Sequence, residues 1–509
     1  MPVISKNPLG THSGGALDDE RKLKALGYEP RLTRRLSGFQ NFAFSFSVIS
    51  VPTGCLGMYL YGMNTGGPRV MMLGWIAVTV IVMCIAISLA EIVSKYPTAG
   101  GLYYMSERLG GRKWGWYTGW LNMLGLIGAV ASIDFGAATI TGMFLEMQWG
   151  ISPSSNDIFL IFLGILLLHV AMNLFRAKVV AVLASVSAWW HLIGVAAIVV
   201  VLVVVPGEHQ SPGFVVGHWN NDTGFPAFYV SLIGLLTAWY TFCGWDASAH
   251  VSEETVQSAM NSPRGMVRSV WVSGIAGFLL LGAVTFAMQN WGKAQGAESP
   301  PAQIFLDSLG MTGAKLLLLI VIGAQLFCGF AEVAACSRLV WSFSRDRAIP
   351  GSSLWARINR RNIPALAIVF TVFWAAVLAS PALWSPTAYT AVVAINVVGF
   401  YPAVAIPIFL RVRNRKTFQT GDWHAKGWGV GLGVISLVFI VFGTALFSLP
   451  QARPAGGGLF SVETFNYAPV ALGLGLLLAT VVWMGSGRKN YRVPAVTSHR
   501  APTAEADLD

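Results

Sequence analysis

Charged residues are scarce in this sequence. Asp, Glu, Lys and Arg make up 11% of its 509 residues, whereas soluble domains contain about 25%. Hydrophobic residues reach 54%, and the mean hydropathy is +0.60. The connections between apolar runs are short, and the longest, around 206–224 and 344–363, have about 20 residues each. These features exclude a soluble globular protein and predict an integral membrane protein that works within the bilayer.

The sequence also has few cysteines, and it lacks the clusters typical of enzymes. No His/Cys metal cluster, Gly-rich phosphate loop or nucleophile elbow is present, and HVSEE lacks a second histidine at helical spacing. We therefore expect no enzyme activity, cofactor or metal. The cysteines fall in apolar runs without ligand spacing, so we interpret them as packing residues; they are Cys55, Cys84, Cys243, Cys328 and Cys336.

Long apolar runs dominate the chain. A helix rises 1.5 Å per residue, so a run of about 20 residues crosses the roughly 30 Å hydrocarbon core once. This pattern predicts an all-α integral membrane protein with about twelve transmembrane helices. The runs lie near 40–63, 70–93, 115–145, 157–174, 182–205, 225–250, 269–290, 313–343, 364–380, 387–410, 427–449 and 466–486.

The positive charge is distributed unevenly between the connections. The formal net charge is +11, but the basic residues sit in short connections, so we expect the lipid bilayer and not nucleic acid as the partner. If the N-terminus is cytoplasmic, all but four of the 34 Lys and Arg residues lie on the inner side; the exceptions are Arg69, Lys293, Lys315 and Arg453. This bias predicts that both termini are cytoplasmic. The polar, basic first 37 residues show no cleavable signal peptide.

Two of the twelve runs are interrupted in a similar way. The first contains SVPTGCLG, in which Pro52 removes a backbone donor and Gly54 weakens the helix. The sixth contains TFCGWDAS, with Gly244 close to the carboxylate of Asp246. Breaks at the first and sixth spans are typical of an inverted-repeat transporter with its site at the breaks. Alternatively, these Pro and Gly residues only kink intact helices.

An ordered set of motifs resembles the amino acid–polyamine–organocation superfamily of transporters, and within it the amino acid and choline (GABA-type) permease branch. The motifs are LGYEPRLTRRLSGFQNFAFSFS, GGP, AEIVSKYPTAGGLYY, FCGWDASAHVSEET, NSPRGM and SRLVWSFSRDRAIP.

The resemblance implies the leucine-transporter-type fold, with five plus five spans as inverted repeats and two further spans at the C-terminal end. The expected units are a cytoplasmic segment 1–37, repeats 38–206 and 225–411, the last spans within 426–487, and a cytoplasmic tail 488–509, which looks disordered after Arg492.

The resemblance also places a substrate site at the first break. The family's Gly-Ser-Gly pattern falls on Pro52, Thr53 and Gly54. Unwinding there would expose N–H groups at the start of a half-helix, and these would attract a substrate carboxylate. The Thr53 hydroxyl would add one bond, unless it only back-bonds within an intact helix.

In the sixth span the family pattern falls on Phe242, Gly244 and Asp246. Gly244 would free carbonyls for a substrate ammonium, and Phe242 or Trp245 would stack over the ligand as a gate. Asp246 would bind an amine, relay protons or gate, because a carboxylate at membrane depth is costly. A helix-capping role for Asp246 is the structural alternative.

Coupling to an ion requires a group that changes charge. His191 is the titratable side chain of the fifth span, where some relatives carry a lysine. Glu332 lies deep in the eighth span and is a second candidate, although an interhelical hydrogen bond would also explain it. Counting from Trp114 places Asp134 near the outer face, where a wetted carboxylate is unremarkable.

Gating residues are expected at the cytoplasmic mouth. Gly100 and Gly101 form an inner-gate turn in the YPTAGGLYY motif, and Glu253 and Glu254 follow the sixth span.

These observations together predict a secondary active transporter that imports a small amino acid or a GABA-like zwitterion by proton symport. The alternatives are a choline, polyamine or other organic-cation transporter, an amino acid exchanger, or sodium coupling. A channel or receptor belongs to another class, and saturable uptake with counter-substrate exchange distinguishes a carrier from it.

Overall fold

Twelve membrane spans form the protein, in a computed structural model that describes residues 13–384, 386–451, 453, 461 and 464–494. Ten helices of this part are long and apolar enough to cross a membrane. Spans 1 and 6 are each broken into short helices, so the predicted twelve spans are confirmed. Spans 1 to 6 comprise Gly38–Ile49 with Val51–Gly57 and Tyr59–Asn64, Gly67–Lys95, Arg112–Trp149, Ser155–Asn173, Ala177–Val204, and Ala227–Ile233 with Leu236–Thr241 and Ala247–His250. Spans 7 to 12 are Ser258–Phe286, Pro300–Arg345, Ala365–Ala379, Pro386–Arg413, Gly429–Ser448 and Ala468–Val482.

Several helices are longer than their apolar runs. Span 3 has 38 residues, or about 57 Å, and so extends beyond the hydrocarbon core. Span 7 begins eleven residues before its predicted start of 269. The helix of span 8 includes a first segment that ends at Gly310, where φ is 69°. Hydropathy therefore marks only the part of each helix that lies in lipid.

The helix contacts of spans 1–5 are repeated by the equivalent helices of spans 6–10. Span 1 packs on span 7, and its counterpart span 6 packs on span 2. Span 3 contacts span 10 as span 8 contacts span 5, and span 4 contacts span 8 as span 9 contacts span 3. This correspondence is that of the leucine-transporter-type fold, which places broken spans 1 and 6 at the centre.

The first and last described segments of the chain lie at one end of the bundle, here called the terminus face. The Tyr28 hydroxyl donates to Asp346 Oδ2 (2.6 Å), and the Arg492 amide donates to the Asp346 carbonyl (3.0 Å). Asp19, in the N-terminal helix Ser13–Ala25, accepts from the amides of Gln257 and Ser258 at the start of span 7. The N-terminal segment thus packs against the helices at the terminus face.

Arg34 of this segment is held by the protein. Its side chain is 7% exposed and lies 3.8 Å from Asp19. It also donates to the Ser252 carbonyl, just after the last helix of span 6. The guanidinium fork thus contacts a buried acid and a backbone carbonyl at once. The tail residues 495–509, predicted to be disordered, lie outside the described residues.

Candidate functional site

Span 1 breaks at Ser50. This residue has left-handed backbone angles (φ 35°, ψ 76°), and a new helix starts at Val51. The break therefore precedes Pro52, Thr53 and Gly54, on which it was predicted to fall; these residues form the first turn of the new helix. Proline is well tolerated in a first helical turn because its missing N–H has no intrahelical partner there.

Span 6 breaks at Gly244, as predicted. Its φ of +84° is one that side-chain-bearing residues rarely adopt. A Cβ there would lie 2.0 Å from Val48 Cγ1 on span 1, and a Cβ at Gly54 would lie 2.4 Å from the Thr241 side chain on span 6. Each span thus presents a glycine to a side chain of the other, and the two broken spans cross closely.

Side chains of span 1 satisfy backbone groups freed by the break in span 6. The Ser45 hydroxyl donates to the Trp245 carbonyl (2.6 Å) and accepts from the Ser248 amide (2.9 Å). Asn41 Nδ2 donates to the Ser248 carbonyl (3.0 Å). The Trp245 carbonyl is therefore already bonded. Asn41 and Ser45 were not among the predicted site residues, although their i,i+4 spacing in FQNFAFSFS puts both on one helix face.

A cavity of about 30 Å³ lies at the crossing. This volume holds about two water molecules, so an amino acid enters only when the walls separate. Spans 1, 3, 6, 8 and 10 form the wall, which includes Thr53, Gly54, Leu126, Tyr240, Thr241, Gly244, Glu332, Asn396 and Phe400. Three of the predicted substrate residues, Thr53, Gly54 and Gly244, are thus brought together.

The two predicted aromatic gates lie behind the cavity wall in this conformation. Phe242 packs against Trp75 of span 2, with ring centroids 5.0 Å apart. Trp245 meets Phe400 of span 10 edge-on at 5.7 Å, and Phe400 itself lines the cavity. Both predicted gates are fully buried. Phe400 and Tyr240, which sequence reasoning did not single out, are aromatic residues that line the cavity.

Asp246 bonds a histidine. It occupies the N-cap position of Ala247–His250, but its side chain makes no capping bond. Instead Oδ2 lies 3.2 Å from His250 Nε2, and both side chains are fully buried. Asn122 Nδ2 lies 3.3 Å from the same imidazole nitrogen. The capping alternative is therefore excluded in this conformation, and the acid belongs to a polar cluster shared by spans 3 and 6.

Glu332 lines the cavity with an unpaired carboxyl group. The residue is fully buried, and neither oxygen has a hydrogen-bond partner among the residues that the structure describes. Oε2 lies 3.8 Å from the Cβ position of Gly244. An interhelical hydrogen bond thus does not explain the residue. A buried acid without a partner is costly, and its position suits an ammonium group or a proton.

His191 is connected to the cavity through hydroxyl groups. Its Nδ1 lies 2.8 Å from the Ser187 carbonyl, and its Nε2 lies 2.9 Å from Ser50 Oγ, at the break. Ser50 Oγ lies 2.7 Å from Thr53 Oγ1, which lines the cavity. A hydrogen-bonded chain therefore runs from span 5 through the break of span 1 to the candidate substrate site.

Asp134 lies in the protein interior, so the expectation of a wetted carboxylate near the outer face was wrong. It is fully buried, and its Oδ2 lies 3.0 Å from Nδ1 of His169 on span 4. The depth estimate failed because span 3 is longer than the bilayer is thick, so counting residues from Trp114 does not measure depth.

The predicted gate residues meet at the terminus face. Gly101 has φ +49°, and a Cβ there would lie 2.9 Å from the His250 ring. Glu253 Oε1 accepts from the amide of Ala99 (3.0 Å) and pairs with Arg345 (3.1 Å). The turn that contains Gly100 and Gly101 is thus fastened to the end of span 6.

A second ion pair and a buried acid complete this layer. Glu254 pairs with Arg338 of span 8 at 2.7 Å. Asp346, just after span 8, accepts from the hydroxyls of Tyr28 and Tyr103. Burial raises the pKa of the Asp346 carboxyl from 3.8 to about 6, although Arg345 and the two hydroxyls oppose the rise. The cavity is therefore closed off from the terminus face.

Comparison with known proteins decides the family. The family model described as amino acid permease matches residues 36–477. The chain belongs to the amino acid permease family, within the amino acid–polyamine–organocation superfamily.

Two plant permeases are similar over nearly their whole length. The chain is 35% identical to "Amino-acid permease BAT1" of Arabidopsis thaliana, over 93% of this chain and 95% of that protein. It is 34% identical to the "Amino-acid permease BAT1 homolog" of Oryza sativa subsp. japonica, over 94% and 96%. A fungal relative, from Macrophomina phaseolina, is named as a putative amino acid/polyamine transporter and is 26% identical, over 84% and 96%. The chain is thus a multi-pass membrane permease with a small-molecule amino acid substrate, and not an enzyme.

Proposed function

We propose that this permease imports a small amino acid or a GABA-like zwitterion across the plasma membrane by proton symport. The observation that carries the proposal is the crossing of spans 1 and 6, where two backbone breaks face one cavity that also contains an unpaired acid. Breaks and acids at such a point suit a ligand with one carboxylate and one ammonium group.

The two charged groups of the substrate would bind on opposite sides of the cavity. The carboxylate would lie at the start of the helix after Ser50, whose N-terminal end has no side-chain cap, and would accept from the Thr53 hydroxyl. The ammonium would lie towards Glu332 and the backbone at Gly244. Pro52 and Gly54 shape the first turn, while Phe242, Trp245 and Asp246 support the wall from behind.

Proton coupling would use the buried titratable groups around this site. His191 reaches the cavity through Ser50 and Thr53, Glu332 lines the cavity, and Asp246 bonds His250 next to the inner gate. Binding of a proton and the substrate would together neutralise the acids and allow the walls to close over the ligand.

Alternating access would move the bundle that contains spans 1 and 6 against a scaffold, with repeats at 38–206 and 225–411. The strong bias of Lys and Arg towards one side supports a cytoplasmic orientation of the terminus face. Gly100, Gly101, Glu253 and Glu254 would then form the inner gate, closed in this conformation.

Uptake into proteoliposomes tests this function. Radiolabelled alanine and GABA are offered to vesicles with an acidic exterior, with and without a protonophore, and in sodium-free buffer. We expect saturable uptake, accumulation of about tenfold per pH unit under one-proton coupling, and its loss on collapse of the gradient. Counterflow that persists without accumulation would assign an exchanger, and uptake that fails to saturate would assign a channel.

A cationic amine is the second candidate substrate. The unpaired oxygens of Glu332 favour it, since a net positive ligand would compensate the buried acid fully. Choline and spermidine, added as competitors in the same assay, distinguish the two classes. Competition by either amine at lower concentration than alanine would make the organic cation the substrate.

A further inference from the structure

The proposed transport cycle leaves one buried titratable pair unused. Asp134 of span 3 and His169 of span 4 are both fully buried, and Oδ2 lies 3.0 Å from Nδ1. The other ring nitrogen, Nε2, lies 2.9 Å from the carbonyl oxygen of Leu326 on span 8. Both imidazole nitrogens therefore face oxygen atoms. The Leu326 carbonyl oxygen is a hydrogen-bond acceptor, and so is Asp134 Oδ2 when the carboxyl is ionised.

Counting protons shows what this arrangement requires. A neutral imidazole has a single N–H, so with an ionised Asp134 one nitrogen of His169 would turn a lone pair towards an oxygen. Both contacts are hydrogen bonds only if the pair holds one more proton. That proton makes the imidazole doubly protonated, or it sits on Oδ2 and donates to Nδ1. In either case the pair carries two protons and has no net charge.

The extra proton allows His169 to bond span 3 and span 8 at the same time. When it leaves, lone pairs face each other across one of the two contacts, so the bond to Leu326 or the bond to Asp134 is lost. Span 8 packs closely here, because a Cβ at Gly329 would lie 2.0 Å from Asp134 Oδ1. Glu332, one turn further along span 8, lines the cavity. A rearrangement of span 8 at Leu326 therefore reaches the candidate substrate site.

Among the described residues, the side chains around the pair are acidic or apolar. Glu332 and Cys328 of span 8 are close enough to interact with Asp134, and Asp246 of span 6 interacts with Glu332 in turn. Span 9, which packs against spans 3, 4 and 8, carries no ionisable side chain between Ala365 and Ala379. A proton is therefore the species that compensates the Asp134 charge.

We propose that Asp134 and His169 form a proton-binding site separate from the proposed substrate site. When this site holds its extra proton, hydrogen bonds link span 4 to span 8 beside the cavity. The proton site itself stands on the hydrogen-bond geometry; only its role in transport rests on the proposed function. Loading the site stabilises the conformation described here, and unloading it frees span 8 to move.

Asp134→Asn tests this proposal. The asparagine amide donates to Nδ1 while Nε2–H donates to Leu326, so the variant keeps both bonds without the extra proton. Thermal unfolding of the purified protein is measured at about pH 5.5 and about pH 8. We expect the wild-type midpoint to fall more between these two pH values than that of the variant, by about 2 °C. Thr139→Val, which removes a hydroxyl bonded only to the Phe135 carbonyl, is the control and keeps the wild-type response.

Equal pH responses of the wild type and Asp134→Asn would overturn the proposal. If that variant fails to fold, His169→Gln replaces it, because its amide donates without taking up a proton and the same flattened response is expected. Failure of the proposed function has a different signature: wild-type vesicles would not accumulate alanine or GABA in a pH gradient, while the unfolding difference would remain.

Discussion

The buried histidines His191 and His169 differ in the chemistry of their partners. His191 faces the Ser187 carbonyl with Nδ1 and a hydroxyl, Ser50, with Nε2. A hydroxyl both donates and accepts, so the bond to Ser50 survives protonation of the ring; the serine hydrogen then turns towards Thr53. His169 faces a carboxyl and a carbonyl, which fit one proton count only.

This difference indicates which of the two histidines can gain or lose a proton without a change of structure. The His191 chain can gain or lose a proton by turning two hydroxyl groups at the break of span 1. The Asp134–His169 pair cannot, because loss of its proton leaves a repulsive contact with span 3 or span 8. The first arrangement suits exchange with the cavity, and the second suits a link between protonation and conformation.

The largest loss of transport is expected at the crossing of spans 1 and 6, beside the His191 chain. Gly244→Ala places a Cβ 2.0 Å from Val48 Cγ1 at a φ of +84°. Such backbone strain costs about 1–3 kcal/mol and overpacking a similar amount, so counterflow should fall by about 50-fold or more. Gly57→Ala on span 1, whose Cβ meets open space, is the control and should stay within about twofold. Gly244→Ala with more than half the wild-type rate would contradict a close crossing.

A smaller effect separates the two histidines directly. In His191→Gln the amide retains a donor for Ser187 and an acceptor for Ser50 but cannot be protonated. Accumulation in a pH gradient should fall by about tenfold, while counterflow changes by less than about threefold, because binding survives and coupling does not. Ser185→Ala, on the same span, removes only a bond to the Ala181 carbonyl and serves as the control. Undiminished accumulation in His191→Gln would leave the Asp134–His169 pair as the coupling site.

The smallest effect concerns Asp346, an acid whose partners are hydroxyls. Because its pKa is raised from 3.8 to about 6 in the folded protein, the fold favours the protonated form. Its contribution to stability is complete below about pH 3.8 and is lost as the pH rises through about 6. The wild-type unfolding midpoint should therefore drop between about pH 5 and about pH 8 by more than that of Asp346→Asn, by about 1 °C. Parallel curves for the two proteins would show that this carboxyl does not titrate in that range.

The sequence predicts most of this architecture but only part of the site. Apolar runs reveal the twelve spans, and a glycine two residues before an acid reveals the break at Gly244. The break at Ser50 escaped because serine has no special preference for left-handed angles; its partners His191 and Thr53 are what stabilise it. The pairing of Asp134 with His169 also escaped, since it depends on how two helices are rotated towards each other, which hydropathy does not report.

The pairing of the N-terminal segment with the end of span 6 has a practical consequence for protein production. The amides of Arg35 and Leu36 both donate to the Glu254 carbonyl (2.8 Å each), and the Val256 amide donates back to Leu36 (2.9 Å). Removal of the polar N-terminus through Leu36 to aid crystallisation would remove these bonds at the terminus face. An affinity tag or fluorescent fusion therefore belongs ahead of Ser13, where it leaves these contacts intact.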